Sequence, residues 1–325
     1  MKFIDLHCDL LSYWADVEGR TPFDNVVRCS LSQLKQGNVA LQVLAVFTFT
    51  EKGSVAFAEK QIALFSELIS QEKYQSSQVR SAQDLQKAIE ANQTGVALAI
   101  ENASGLCEED EKLDRAFERF EEYGKKAGHI FYLGLTHHLE NRFGGGNQSE
   151  VGLKSDGEVL LEYISGKKIA VDLAHTSRKL ASDILNFVYK RNLVIPILDS
   201  HSNFNAVFPN LRNQTDETAT EIARRGGVIG LNFLKDYTGD SYKALFAHIE
   251  HAHKLGIEKH IALGADYFFV EDAKDSPRYP YYFPELFDAA CYPFLAKALH
   301  EHGFENEQIF ALAFDNVRNF IVKNF

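Results

Sequence analysis

His7 and Asp9 stand one residue apart at the end of a short apolar run, Phe3-Ile4-Asp5-Leu6-His7-Cys8-Asp9. On a strand, residues i and i+2 share a face, so an imidazole and a carboxylate can reach one ion together. Similar chemistry recurs where later apolar runs end. Ala97-Leu-Ala-Ile runs into Glu101, Ile169-Ala-Val-Asp-Leu-Ala into His175, and Val194-Ile-Pro-Ile-Leu-Asp-Ser into His201. A further run, Ile261-Ala-Leu-Gly-Ala, ends in Asp266. Mixed imidazole and carboxylate donors suit zinc or a similar first-row divalent metal. The two oxygens of Glu101 could serve two ions, and two ions can share one hydroxide and clamp an oxygen that becomes charged.

Each residue has a plain structural alternative. Glu101 could cap the helix that follows it, and His175 and His201 could be satisfied core histidines. Asp266 could bond backbone amides at a strand end. What those alternatives do not explain is the joint placement of five donors at the carboxyl ends of the first, third, fifth and sixth apolar runs.

The elements that must position these donors alternate in type. Eight runs read as strands: Lys2–His7, Val39–Phe49, Gly95–Glu101, Ile130–His137, Lys168–His175, Leu193–His201, Gly227–Phe233 and His260–Asp266. Most are continuously apolar, the pattern of a parallel sheet covered on both faces. Helical spacing follows at Val55–Lys73, Asp110–Lys126, Ser177–Lys190, Asp216–Arg225 and Ser241–Leu255, and two more helices, Ala289–His302 and Glu305–Lys323, close the chain. Strand–helix alternation repeated eight times predicts a (β/α)8 TIM-like barrel as one domain over residues 1–325, with the last helices packed on it. A doubly wound open sheet is the alternative. Three segments, Leu11–Leu34, Asn141–Asp156 and Tyr267–Pro284, read as long irregular loops. All follow strands, on the side where barrel active sites lie.

The formal net charge of −11 makes nucleic acid an unexpected partner. No run is apolar for long enough to span a membrane, and no secretory leader is legible at the first residues. The four scattered cysteines, Cys8, Cys29, Cys107 and Cys291, read as reduced thiols of a cytoplasmic protein. His248, His251 and His253 resemble a metal cluster, but only His248 and His251 share a helix face and Glu250 and Lys254 lie among them, so they read as a solvated surface. Gly144-Gly145-Gly146 lacks the Gly-Lys-Ser/Thr ending of a phosphate loop. Asp5 reads as a support for the first strand or for a neighbouring donor.

The ordered set of short motifs resembles the membrane (renal) dipeptidase family of the metal-dependent amidohydrolase superfamily. The matching stretches are Asp5-Leu-His-Cys-Asp9, Ile100-Glu-Asn-Ala103, Leu135-Thr-His137, Asp172-Leu-Ala-His-Thr-Ser177, Asp199-Ser-His-Ser-Asn203, Leu211-Arg-Asn213 and Gly264-Ala-Asp266. They run in order through nearly the whole chain. The resemblance implies two zinc ions, the first held by His7 and Asp9, the second by His175 and His201, with Glu101 bridging. It implies that a metal-bridging hydroxide attacks the peptide bond of a dipeptide with a free C-terminal carboxylate. Asp266 would transfer the proton, His137 would contact the substrate or its tetrahedral intermediate, and Arg212 would hold the carboxylate. A planar guanidinium fork fits that last task. His138 adjoins His137, and only the family register chooses between them. The resemblance also implies a homodimer, although no interface is legible.

The chain departs from the family pattern after Asp266. Phe268 and Phe269 stand where an aspartate–glycine pair is usual, and Asp275–Pro284 is rich in Tyr and Pro. These residues border the expected site, and packing against the barrel is the reading preferred over an apolar wall for a substrate side chain. Two alternatives to a dipeptidase remain: hydrolysis of another small amide, such as an N-acyl amino acid or a cyclic amide, and a barrel that binds metal without catalysis.

Overall fold

A computed structural model describes all of residues 1–325. Nine strands form: β1 (Phe3–Cys8), β2 (Val39–Phe47), β3 (Ser76–Gln78), β4 (Thr94–Glu101), β5 (Ile130–Gly134), β6 (Ala170–Asp172), β7 (Ile197–Leu198), β8 (Ile229–Leu231) and β9 (Ile261–Leu263). The pairing order is β7-β6-β5-β4-β2-β1-β9-β8, and β3 adds to β4 outside that path. Every pairing between these strands is parallel. A parallel bridge between Asp199 and Ile229 joins the two ends, β7 and β8, so eight strands close into a barrel with helices between them.

All eight expected strands are present, but those after β4 stop short of the candidate site residues. His137, His175, His201 and Asp266 each stand three residues beyond the end of their strand. The backbone turns there: His175 and Asp266 both have φ of 61°, a region that non-glycine residues occupy at a cost. β7 is the shortest strand, because Pro196 just before it has no N–H to give the ladder.

The helical reading needs corrections. Leu11–Leu34 is not wholly irregular: helices occupy Leu10–Asp16 and Leu31–Gln36, the second capped by reciprocal bonds between Ser30 and Gln33. Helices also form at Ala82–Glu90 and Ser155–Ile164. The expected helix at Glu305–Lys323 is broken by a π-helical turn over Ala311–Asp315.

Two apolar clusters hold this frame. One of 76 buried residues lies mainly between helices and sheet. A second of 19 gathers residues from the early parts of strands, such as Ile4, Leu41, Ala97 and Phe131, against Phe314, Val317, Phe320 and Ile321 of the final helices. Asn316 donates to the carbonyls of Glu258 and Ile261, tying that closing segment to the start of β9. The final helices thus pack at the amino-terminal end of the strands, and the carboxyl end is left to the loops.

Glycine fixes the closest approach. A Cβ on Gly230 or on Gly264 would lie 2.0 Å from the Ser200 carbonyl oxygen. That oxygen belongs to the residue before His201, so the two glycines set how deeply His201 sits. Gly230→Ala should destabilise the fold by about 2 kcal/mol or more, since the clash is with backbone rather than a movable side chain. A shift of the denaturant midpoint checks this.

Candidate metal centre

Four strand ends deliver five donors to one point. Glu101, the last residue of β4, divides its carboxylate. Its Oε2 lies 3.3 Å from His7 Nε2, whereas its Oε1 lies 2.9 Å from His175 Nε2 and 3.7 Å from His201 Nε2. Asp9 Oδ2 lies 3.9 Å from His7 Nε2 on the first side. The Nε2 atoms of His175 and His201 are 3.0 Å apart, and the rings of His7 and His201 stack at 3.7 Å. All five residues are buried.

Hydrogen bonds on the far side of two of these rings fix which nitrogen faces the site. The Tyr132 hydroxyl gives its single proton to the Leu6 carbonyl at 3.0 Å. It can therefore only accept from His7 Nδ1, 2.8 Å away, which turns His7 Nε2 toward Glu101. Ser200 gives its hydroxyl proton to Asp172 Oδ2 at 2.5 Å and accepts from His201 Nδ1 at 2.6 Å, which leaves a lone pair on His201 Nε2. In both rings Nε2 is the nitrogen that faces Glu101. Such outer partners orient imidazoles toward a metal and raise their basicity.

Burial and charge act in opposite senses here. Burial drives His175 and His201 well below the usual imidazole range, so both are neutral. Burial also pulls His7 down, but Glu101, Asp9 and Asp266 outweigh it and raise His7 to about 10. Burial lifts Glu101, yet His7, His137 and Arg212 together bring it down to about 2. Three carboxylates around one imidazole call for a positive charge at that point. The buried His7 Nε2 and Asp9 Oδ1 have no hydrogen-bond partner of good geometry. Orphaned donor atoms of this kind, converging with neutral imidazoles, fit a divalent cation.

The remaining candidates lie around this point. Asp266 Oδ1 is 3.9 Å from His7 Nε2, and its Oδ2 accepts from Asn232 Nδ2 at 2.9 Å. Burial raises its carboxyl to about 6, with His7 and other neighbours working against the rise. His137 Nε2 is 4.0 Å from Glu101 Oε1, and burial lowers this imidazole to about 3. His138 also faces the site, packed 4.0 Å from His137 with its Nδ1 bonded to Asn147 at 2.9 Å. Arg212 is buried beneath the others. It donates to Ser202 Oγ at 2.6 Å and to the His201 carbonyl at 2.9 Å, and its Nε has no partner.

A cavity of about 460 Å³ opens above Asp9, Glu101, His137, His175 and Asp266. Arg212 is not among the residues that line it.

A model of the membrane dipeptidase family, peptidase family M19, matches residues 1–321. The chain belongs to this family. An uncharacterised protein in the pqqA 5′ region of Klebsiella pneumoniae is 26% identical over 262 residues, 76% of this chain and 88% of the relative. A metallo peptidase from Rhodobacter sphaeroides, liganded with a phosphinate mimic of the dipeptide L-Ala-D-Ala, has the same fold. Its TM-score is 0.81 at 19% identity, over 100% of this chain and 99% of that one. A second metallo peptidase of the family, dipeptidase AC, gives 0.77 at 20% identity over 100% and 98%. Membership of the membrane dipeptidase family supports a metal-dependent dipeptidase, and the clustered imidazoles and carboxylates agree with that class. No helix of this family member is long and apolar enough to cross a membrane.

Two readings of side chains outside the donors are corrected. His248 is not on a solvated surface. It is fully buried, accepting from the Phe204 N–H at 3.2 Å and reaching the Thr238 carbonyl at 3.0 Å. Burial drives it down to about 4, so it is a neutral core histidine. Phe268 and Phe269 do pack against the barrel, but both also line the cavity. Asp5 has the expected supporting role. It accepts from the N–H groups of His7 and Ala265, from Gln42 and from the Tyr292 hydroxyl, joining β1 to its neighbours beneath His7.

Proposed function

We propose that the chain is a dinuclear zinc dipeptidase that cleaves dipeptides carrying a free C-terminal carboxylate. The observation that carries the reading is the divided Glu101 carboxylate, with one oxygen toward His7 and the other toward His175 and His201. His7 and Asp9 would hold one ion, His175 and His201 the other, and Glu101 both. The ions, when bound, supply Lewis acidity and stabilise negative charge that develops on oxygen.

The side chains supply the rest. Asp266, anchored by Asn232 and buried, can take a proton during attack and return it to the departing amine. His137 is neutral and faces the cavity, so its ring N–H can donate to the oxygen of the tetrahedral species. Arg212 retains free donors after its two bonds and would hold the C-terminal carboxylate. The position of Arg212 below the cavity wall favours a second reading, hydrolysis of a small amide that lacks this carboxylate.

Metal-stripped protein should cleave small dipeptides only after zinc is added, and amidation of the C-terminus should abolish cleavage. Arg212→Ala should raise KM by about 10- to 100-fold for free dipeptides, the scale of a lost charge-assisted pair. Zinc-dependent cleavage that ignores both amidation and Arg212→Ala would move the assignment to the second reading. Absence of cleavage with two zinc ions bound would end the dipeptidase reading.

A further inference from the structure

The substrate class can be narrowed from the shape of the cavity walls, an inference that rests on the dipeptidase reading. Arg212 follows β7. In the closed order β7-β6-β5-β4-β2-β1-β9-β8, β2 is four strands from β7 in either direction. The loops after β7 and β2 therefore face each other across the barrel mouth. A dipeptide whose carboxylate is held on the Arg212 side must direct its N-terminal residue toward the β2 side.

That side is aromatic. Phe47 ends β2, Phe49 follows it, Phe57 lies in the first turn of the helix Ser54–Ser70 and Tyr13 follows the adjacent β1; Phe269, after β9, stands midway to the Arg212 side, where Tyr237 and Tyr281 line the cavity. Phe47 meets Phe49 edge-on at 4.9 Å and the His137 ring at 4.8 Å, so the aromatic surface reaches the site's own histidine. Tyr13 and Phe269 pack at 5.2 Å.

Charge on this wall is already paired. Arg20 Nη1 lies 2.8 Å from Asp16 Oδ2. Its guanidinium lies over the Tyr13 and Phe269 rings, 4.5 and 4.6 Å from their centres. A charged side chain would meet apolar rings and an occupied ion pair, and would lose its water without a partner. A benzyl or isobutyl group would find rings to pack on. Phe49 is 59% exposed and lines the cavity, so its ring is open to a bound side chain.

We propose that this site selects dipeptides with a bulky apolar, above all aromatic, N-terminal side chain. The test is kcat/KM of the zinc-loaded protein on Phe-Ala, Leu-Ala, Ala-Ala, Asp-Ala, Lys-Ala and the reversed Ala-Phe. Phe-Ala and Leu-Ala should exceed Ala-Ala, Asp-Ala and Lys-Ala by at least about tenfold, the range that a few methylenes give in an apolar pocket. Phe-Ala should also exceed Ala-Phe. Phe49→Ala should reduce the Phe-Ala to Ala-Ala ratio about fivefold or more, whereas Phe49→Leu should largely keep it. The ratio is read within each folded variant, so a general loss of activity does not imitate the effect. Equal rates across the panel, or preference for Ala-Phe, would overturn this inference and leave the dipeptidase reading standing. Failure to cleave any member would overturn both.

Discussion

Under the proposed dinuclear reading, Glu101→Gln is expected to reduce bound zinc from two ions per chain to one or none and to lower kcat/KM by about 10³-fold or more. The substitution is nearly isosteric, so the backbone of β4 and the packing around it should stay as they are. What changes is charge and donor capacity. The carboxylate presents Oε2 to His7 at 3.3 Å and Oε1 to His175 at 2.9 Å. An amide offers one oxygen, and on the other side an NH₂ that would point at an imidazole lone pair or at the ion. Loss of an outer partner of a metal ligand commonly costs 10- to 100-fold in affinity or activity, and loss of a shared carboxylate should exceed that because it touches both sides at once. Elemental analysis of dialysed protein beside a dipeptide assay reads both quantities. Full zinc content with full activity in the variant would remove Glu101 from the site and with it the dinuclear assignment.

The candidate donors could be picked out in the sequence because the ends of parallel strands in a barrel converge. His7, Asp9, Glu101, His175 and His201 each follow an apolar run, and the runs need only be parallel for their ends to meet. The closed order of strands then brings residues nearly two hundred positions apart to within a few ångströms. Less legible were the groups that orient the donors. Tyr132 lies inside an apolar run and looks like any core aromatic. Its bond to His7 exists because the closed barrel brings β5, three strands away, within reach of β1, a contact that no local pattern encodes. Ser200 sits next to His201 in plain view, but its role depends on Asp172 from the neighbouring strand. His248 was misread for a related reason. Helical spacing gives the angle between side chains, not which of them faces the core, and the surrounding charged residues suggested the wrong face. Phe268 and Phe269 were divided between two uses because a residue on a loop over a cavity can pack on the barrel and line the cavity at once.

Asp266→Asn is expected to lower kcat by about 10² to 10⁴-fold while zinc content stays at the wild-type level. The range is that of a positioned acid–base group. Asp266 is built to hold one geometry: its backbone is fixed at a φ of 61°, and Asn232 holds Oδ2 at 2.9 Å. An asparagine can keep the bond to Asn232 through its own oxygen, but it cannot accept a proton from water and return it to an amine. Without metal, burial sets the Asp266 carboxyl at about 6, partly offset by His7. Cations a few ångströms away favour the ionised form and move it lower. A group that must be ionised to accept the proton gives activity that rises with pH through its pKa, so wild-type kcat should have an acid limb at or below about pH 6. The residual activity of Asp266→Asn should lack that limb. The same variant separates proton transfer from coordination, because Asp266 Oδ1 is as far from His7 Nε2, 3.9 Å, as Asp9 Oδ2 is. If zinc is lost along with activity, Asp266 is a ligand and the proton must travel by another group, with His137 and His138 the nearest neutral bases in the cavity. If zinc is retained and the acid limb disappears, the carboxylate that ends the β9 run is the proton carrier.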